Sequence, residues 1–226
     1  MIHRGVQGGI KRRNVFLPPL VLGSLLFFQE HSKAGAQREE PIVDAVRNAM
    51  SASVKSTEPP EPVFADTEAK LHYLRWKVEM NNRLIQRRSD LRTLQERTDF
   101  LQTVWYNCKR SRLDVDLVLG LIQVESNFRK RAISYAGARG FMQVMPFWAR
   151  VLMGNDASIL FDTHTNLRFG CVILRHYLDL ERGDMFLALG RYNGSRGKPQ
   201  YPDAVFGARK NWIFLDRPTG IEPWKK

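Results

Sequence analysis

The sequence predicts a mainly α-helical protein. Residues 66–110 contain no glycine or proline, and their apolar residues recur at the three- and four-residue spacing of a helix. From residue 113 onward, short segments of the same spacing alternate with loops that contain glycine and asparagine. The sequence lacks the alternation of β-branched and polar residues that would predict a sheet.

Composition limits the functional class. The chain has 226 residues and a formal net charge of +12, which suits one medium domain with additional segments and an anionic partner such as nucleic acid, anionic lipid or an acidic cell-surface polymer. The sequence contains neither of the common glycine-rich phosphate-binding motifs. Its five histidines and two cysteines do not show the paired spacing of a metal site. We therefore expect no cofactor and no metal.

Residues 1–36 are predicted to be a signal peptide. A basic cluster at residues 11–13 precedes the apolar segment 15–28, and the small residues 34–36 offer a cleavage site. The apolar segment is shorter than the ~20 residues that cross a bilayer. The alternatives are an uncleaved membrane anchor and a buried N-terminal helix. Export to the periplasm or cell envelope is the expected localisation.

Two segments separate this leader from the region with sequence motifs. Residues 37–63, rich in Ser, Pro and charge, are predicted to be a flexible linker. Residues 64–112 are predicted to form a helical extension of one or two amphipathic helices, whose first apolar stripe contains Leu71, Leu74 and Val78. The arginines of this extension indicate a basic arm, a coiled coil with a partner, or the solvated face of helices packed on the next domain. We favour the last interpretation.

Glu125 falls on the apolar face of a predicted helix whose N-cap is Asp114. It follows Val118, Leu121 and Ile122 at the i, i+3, i+4 and i+7 spacing of one helix face. It also lies near the predicted C-terminal end, where the helix dipole disfavours negative charge. Both effects should raise the pKa of this carboxyl above its ordinary value of ~4.3, as a general acid requires. The alternative is a buried carboxylate paired with an arginine.

Four short blocks of sequence occur in a fixed order around this acid. They are Glu125-Ser126, the G-A-R-G-F-M-Q-V-M-P block at 137–146, the L-F-D-T-H-T-N-L-R-F-G segment at 160–170, and the Y-N-G turn at 192–194. Together they resemble the catalytic domain of soluble lytic transglycosylases, the lysozyme-like family that cleaves peptidoglycan. The resemblance implies a lysozyme-like α domain, which we assign to residues 113–226.

The resemblance also implies the site residues. Glu125 corresponds to the family's catalytic acid. The positions expected to bind substrate or to lie beside the acid are Ser126, Gln143, Met145, Tyr192 and Asn193. Each has a simpler interpretation, because these residues could equally form a helix end, a core turn or an ordinary loop. Asp162 and Asn166 are predicted to cap the next helix.

The chemistry implied by the resemblance needs only one carboxyl group. Glu125 would protonate the oxygen between N-acetylmuramic acid and N-acetylglucosamine, then deprotonate the 6-hydroxyl of the muramic sugar, which closes a 1,6-anhydro ring. The alternatives are a lysozyme-type hydrolase, in which water replaces that hydroxyl, and a non-catalytic glycan-binding module. The expected partners are peptidoglycan glycan strands, together with cell-envelope proteins as an open alternative. Nucleic acid is not expected, because the basic helix lacks interleaved stacking aromatics.

Cys108 and Cys171 allow two interpretations. In an oxidising compartment they could pair as a disulfide. They could equally be two reduced residues of the core.

Overall fold

The computed structural model describes residues 47–48, 59–87, 89–153 and 156–216, without the side chains of 151–153. The predicted signal peptide lies outside these residues, as does most of the predicted linker. In the span from 59 to 216 the described residues form α1 (Thr67–Ile85), α2 (Leu94–Ser111), α3 (Val115–Ser126), α4 (Pro146–Met153), a 3₁₀ helix (Ala157–Phe161), α5 (Thr163–Leu180), α6 (Met185–Asn193) and α7 (Gln200–Arg209). The prediction of a mainly α fold, with one or two helices before residue 113, is confirmed, and the structure has two.

Short polar side chains fix where several of the helices begin, although Asp114 at the start of α3 makes no capping hydrogen bond through its side chain. Asp66 accepts a hydrogen bond from the Ala69 amide at 2.7 Å, and Thr93 forms a reciprocal capping box with Glu96 at the start of α2. Asp162 caps α5 as the sequence predicts. These bonds satisfy backbone N–H groups that a helix cannot pair within itself.

Helix α1 packs through a face other than the one that the sequence predicted. Leu71, Leu74 and Val78 are exposed, at 42%, 39% and 61%. The buried residues of α1 are Tyr73, Trp76, Met80 and Leu84. Both sets have helical spacing, so periodicity does not distinguish them. The aromatic set is buried because it packs against Trp105 of α2, with ring centroids 4.7–5.0 Å apart, and large rings remove more apolar area from water.

One continuous core joins α1 and α2 to the helices that follow. Helix α3 packs chiefly against α7. Gly120 permits that contact, since a Cβ atom there would lie 2.7 Å from the backbone nitrogen of Arg209. Helix α5 packs against both α2 and α6. Among the described residues, no helix is long and apolar enough to cross a membrane.

The two cysteines meet where α2 packs against α5. Cys108 and Cys171 are both buried and both free thiols. Burial, together with the neighbouring Cys171 thiol, raises the pKa of Cys108 well above its ordinary value. The described form is the reduced one, and the disulfide stays a prediction.

Candidate active site

The glycine-containing loop that precedes α4 is held by hydrogen bonds from one buried asparagine. Asn166 accepts from the Met142 amide and donates to the carbonyl oxygens of Arg139 and Leu160, each at 2.8 Å. The prediction that Asn166 caps α5 is therefore wrong. The N-cap is Asp162, and Asn166 lies one turn further, where it orders the loop.

Two glycines make this close packing sterically feasible. Gly140 has a φ of +76°, and a Cβ atom there would lie 2.3 Å from Nδ2 of Asn166. At Gly170 of α5 a Cβ atom would lie 2.3 Å from the sulfur of Met142. The two glycines thus bring the loop directly onto α5.

Three of the predicted substrate-binding residues use their donors to hold this loop. The Ser126 hydroxyl donates to the Phe141 carbonyl at 2.7 Å, and the Tyr192 hydroxyl donates to the Met142 carbonyl at 2.7 Å. Nε2 of Gln143 donates to the carbonyl oxygens of Ala132 and Gly140, at 3.1 and 2.9 Å respectively. These side chains therefore have a structural role, and their contact with substrate stays a prediction.

The other two predicted substrate-binding residues lie at element ends. Met145 precedes the first residue of α4 and packs, partly buried, against the core. Asn193 is the last residue of α6 and is buried. Their contact with a ligand also stays a prediction.

Glu125 lies in the last turn of α3 and is only 7% exposed. Its Oε1 accepts a hydrogen bond of 2.6 Å from the hydroxyl of Tyr201. Its Oε2 is buried and has no hydrogen-bond partner in the structure. Within the described part of the chain no arginine, lysine or histidine pairs with this carboxyl, so the structure does not support the buried-ion-pair alternative.

Burial gives this carboxyl the protonation state of a general acid. Removal from water raises the pKa of Glu125 to about 8, against the smaller opposing effect of the hydrogen bond from Tyr201. Tyr201 remains a donor, because burial and the neighbouring acid raise the pKa of its phenol well above 10. At neutral pH Glu125 therefore keeps its proton.

The remaining acids that the sequence places near the motifs are engaged elsewhere. Asp114 and Asp116 pair with an arginine of α7, Asp179 pairs with its i−4 arginine, and Asp184 caps α6. Glu181 is buried, and the arginines at 191 and 196 hold its pKa at about 2. No carboxylate of the described residues contributes to the pKa of Glu125. The same residues contain no group of three His, Cys, Asp or Glu side chains that could hold a metal.

Tyr201 is a site residue that was not predicted from the sequence. It lies on α7, 76 residues from Glu125, and the charge of Tyr192 also affects its pKa. No local spacing around residue 201 marks it, because its role depends on the packing of α3 against α7.

Comparisons with known proteins find similarity in the part of the chain that contains this site. The family model of the transglycosylase SLT domain matches residues 103–214, so the match begins inside α2. A transglycosylase of Enterobacteria phage PRD1 is 34% identical over 100 residues, which cover 44% of this chain and 36% of the relative. Membrane-bound lytic murein transglycosylase C of Glaesserella parasuis is 47% identical over 97 residues, which cover 41% of this chain and 24% of the relative.

A third relative, membrane-bound lytic murein transglycosylase C of Mannheimia succiniciproducens, is 39% identical over 79 residues, which cover 31% of this chain and 22% of the relative. The chain thus spans little more than a third, at most, of the length of these curated relatives. The segment that the family model matches, residues 103–214, contains Glu125, Tyr201 and the loop that Asn166 orders. Residues 103–214 of this chain are therefore similar to the transglycosylase SLT domain family.

Proposed function

We propose that the protein is a peptidoglycan lytic transglycosylase, which cleaves the β-1,4 bond between N-acetylmuramic acid and N-acetylglucosamine and leaves 1,6-anhydro ends. The observation that carries this proposal is a single buried carboxyl group, Glu125, whose pKa of about 8 keeps it protonated. The names of the relatives, which are murein and phage transglycosylases, support the substrate class.

The two oxygens of Glu125 have different roles in this reaction. Oε1 accepts from Tyr201, so the proton resides on Oε2, and that proton is transferred to the glycosidic oxygen. Oε2 is buried in this structure. Substrate binding must therefore turn the carboxyl or move a neighbouring side chain, as is common when a catalytic hydrogen bond forms only in the complex.

The second half of the reaction restores the acid. Once Glu125 has protonated the leaving oxygen, the resulting carboxylate is stabilised by the hydrogen bond from Tyr201. The bond from C1 to the leaving sugar breaks as the glycosidic oxygen is protonated, and the substrate's own acetamido group stabilises the positive charge that develops at C1. The carboxylate then takes the proton of the muramic 6-hydroxyl, whose oxygen forms the new bond to C1. The nucleophile belongs to the same sugar as C1, which gives it a high effective molarity.

The lack of a second carboxylate distinguishes this site from that of most glycosidases, which flank the bond with two carboxyl groups. Among the described residues, Glu125 has no such neighbour. A nucleophile supplied by the substrate fits this arrangement. A lysozyme-type hydrolysis would use the same acid with a water molecule in place of the hydroxyl.

Product analysis tests the proposal directly. The purified protein is incubated with cell-wall sacculi, and the released glycans are analysed by mass spectrometry. Anhydro-muramic ends are the expected result, whereas reducing ends that have gained water would show a hydrolase. Glu125→Gln should abolish cleavage, and the matched change Glu79→Gln, at a partly exposed side chain of α1, should not. Glycan binding without cleavage by the wild-type protein would show a non-catalytic module.

We propose that the protein acts in the periplasm or cell envelope. The predicted signal peptide and the membrane-bound relatives support this localisation. Fractionation of cells that produce the full chain tests it, and recovery only from the cytoplasm would contradict it.

A further inference from the structure

A cluster of donors lies between α2 and α5 and contains Tyr106, Arg110 and Arg168. Nη1 of Arg110, which is exposed, donates to the hydroxyl oxygen of Tyr106 at 3.1 Å. Arg168 is only 7% exposed. Its Nε is fully buried and has no hydrogen-bond partner in the part of the chain that the structure describes.

The electrostatic surroundings of Arg168 are unusual for a buried cation. Burial and the neighbouring Arg110 guanidinium lower its pKa, while a hydrogen bond with the Tyr106 hydroxyl and the nearby Cys171 oppose this effect. No aspartate or glutamate is among the described groups that act on it. Buried charges are normally paired, because an unpaired one is strongly destabilising.

Another buried arginine of this protein shows the usual arrangement. Arg97 is 9% exposed, and its guanidinium donates to Oδ1 of Asn81 and to the carbonyl oxygens of Leu91 and Arg92. The guanidinium of Arg168 has a hydrogen bond with the Tyr106 hydroxyl, but its Nε has no acceptor among the described residues. The structure therefore has a buried guanidinium with one N–H donor, at Nε, that still requires an acceptor.

The cluster lies away from the acid. Asn166 and Arg168 are two positions apart on α5, which separates them by about 200° around the helix. Asn166 faces the loop beside Glu125, so Arg168 projects from the opposite face, towards Tyr106 of α2. The cluster is thus a separate place in the fold.

We propose that Tyr106, Arg110 and Arg168 form a binding site for an oxyanion, the carboxylate or phosphate group of a ligand. Two guanidinium groups offer planar N–H donors that match such a group. The Tyr106 oxygen accepts from Arg110, which leaves its own O–H to donate. An oxyanion supplies the acceptor and the negative charge that this cluster lacks. The site does not depend on the proposed transglycosylase activity.

Thermal unfolding of the full chain tests the site. The melting temperature is followed while inorganic phosphate, or acetate in a parallel series, replaces chloride at constant ionic strength. A saturable rise with either anion is expected, and the anion that saturates at the lower concentration identifies the ligand group. Arg110→Gln should weaken the apparent affinity about tenfold, the loss expected for one charge-assisted hydrogen bond.

Two further variants make the result specific. Lys109→Gln removes the same charge from the adjacent position, where the ammonium lies over the Trp105 ring, and should leave the anion response unchanged. Arg168→Met should lose the response and melt no lower than wild type in chloride, because it removes a buried like charge. If this variant does not fold, the anion response of Arg110→Gln alone tests the proposal. No saturable response to either anion, or an equal response in wild type, Arg110→Gln and Lys109→Gln, would overturn the proposal.

Discussion

The raised pKa of Glu125 predicts a pH-dependent difference in stability between the wild-type protein and Glu125→Gln. The unfolded carboxyl ionises at its ordinary pKa of 4.5, whereas the folded one ionises at about 8. Between these values unfolding releases a proton, so the free energy of unfolding of the wild type falls as pH rises. Glutamine has a similar shape, accepts the Tyr201 hydrogen bond through its oxygen and does not titrate.

The size of the effect follows from the interval between the two pKa values. Each pH unit in that interval lowers the unfolding free energy of the wild type by about 1.36 kcal/mol relative to that of the variant. The difference in unfolding free energy between Glu125→Gln and wild type should therefore grow by about 5 kcal/mol from pH 4 to pH 9. Below pH 4.5 both states of the wild type hold the proton, and above pH 8 neither does, so the difference is constant at each extreme.

Urea denaturation of both proteins at intervals across this pH range measures the difference. The other titrating groups are common to both proteins and cancel. Glu79→Gln, a change of the same charge on the surface of α1 beside Arg83, serves as the control, and its difference from wild type should vary by less than about 1 kcal/mol. Parallel curves for Glu125→Gln and wild type would refute the argument that burial keeps the carboxyl protonated.

Three further changes probe the surroundings of the acid. Tyr201→Phe removes a hydrogen bond that favours the carboxylate, so the pKa of Glu125 should rise and the alkaline limb of the pH–rate profile should move above pH ~8; an unmoved limb would show that the bond does not act on the acid. Gly140→Ala places a Cβ atom 2.3 Å from Nδ2 of Asn166, whereas Gly137→Ala, also at positive φ, meets nothing within 4 Å. The first should lose about 2 kcal/mol more unfolding free energy than the second, as measured in urea, and equal losses would contradict the close approach. Asn166→Ala removes three hydrogen bonds and should cost about 3 kcal/mol by the same measurement; a loss below about 1 kcal/mol would mean that the loop is held by other contacts.

Features that depend on neighbouring residues in the chain were predictable from the sequence. The helical class follows from apolar spacing, and Asp162 as the N-cap of α5 follows from its side chain. The position of Glu125 on an apolar helix face also followed, since three- and four-residue spacing fixes which side chains share a face. The resemblance to a known family supplied the role of that acid.

Spacing could not decide which of two apolar faces α1 would bury. Leu71, Leu74 and Val78 have the required period, yet Tyr73 and Trp76 were buried because Trp105 of α2 lies opposite them. When a helix has two apolar faces, the neighbouring helices determine which of the two is buried.

Local residue patterns were enough to predict that this protein is helical and that one acid lies on an apolar helix face. Three features of the site depend instead on how the helices pack: Tyr201 donates to that acid, no described arginine neutralises it, and Asn166 orders the loop that precedes α4. These contacts join segments that are far apart in the chain. They form only when the helices pack together, so they cannot be predicted from local residue patterns.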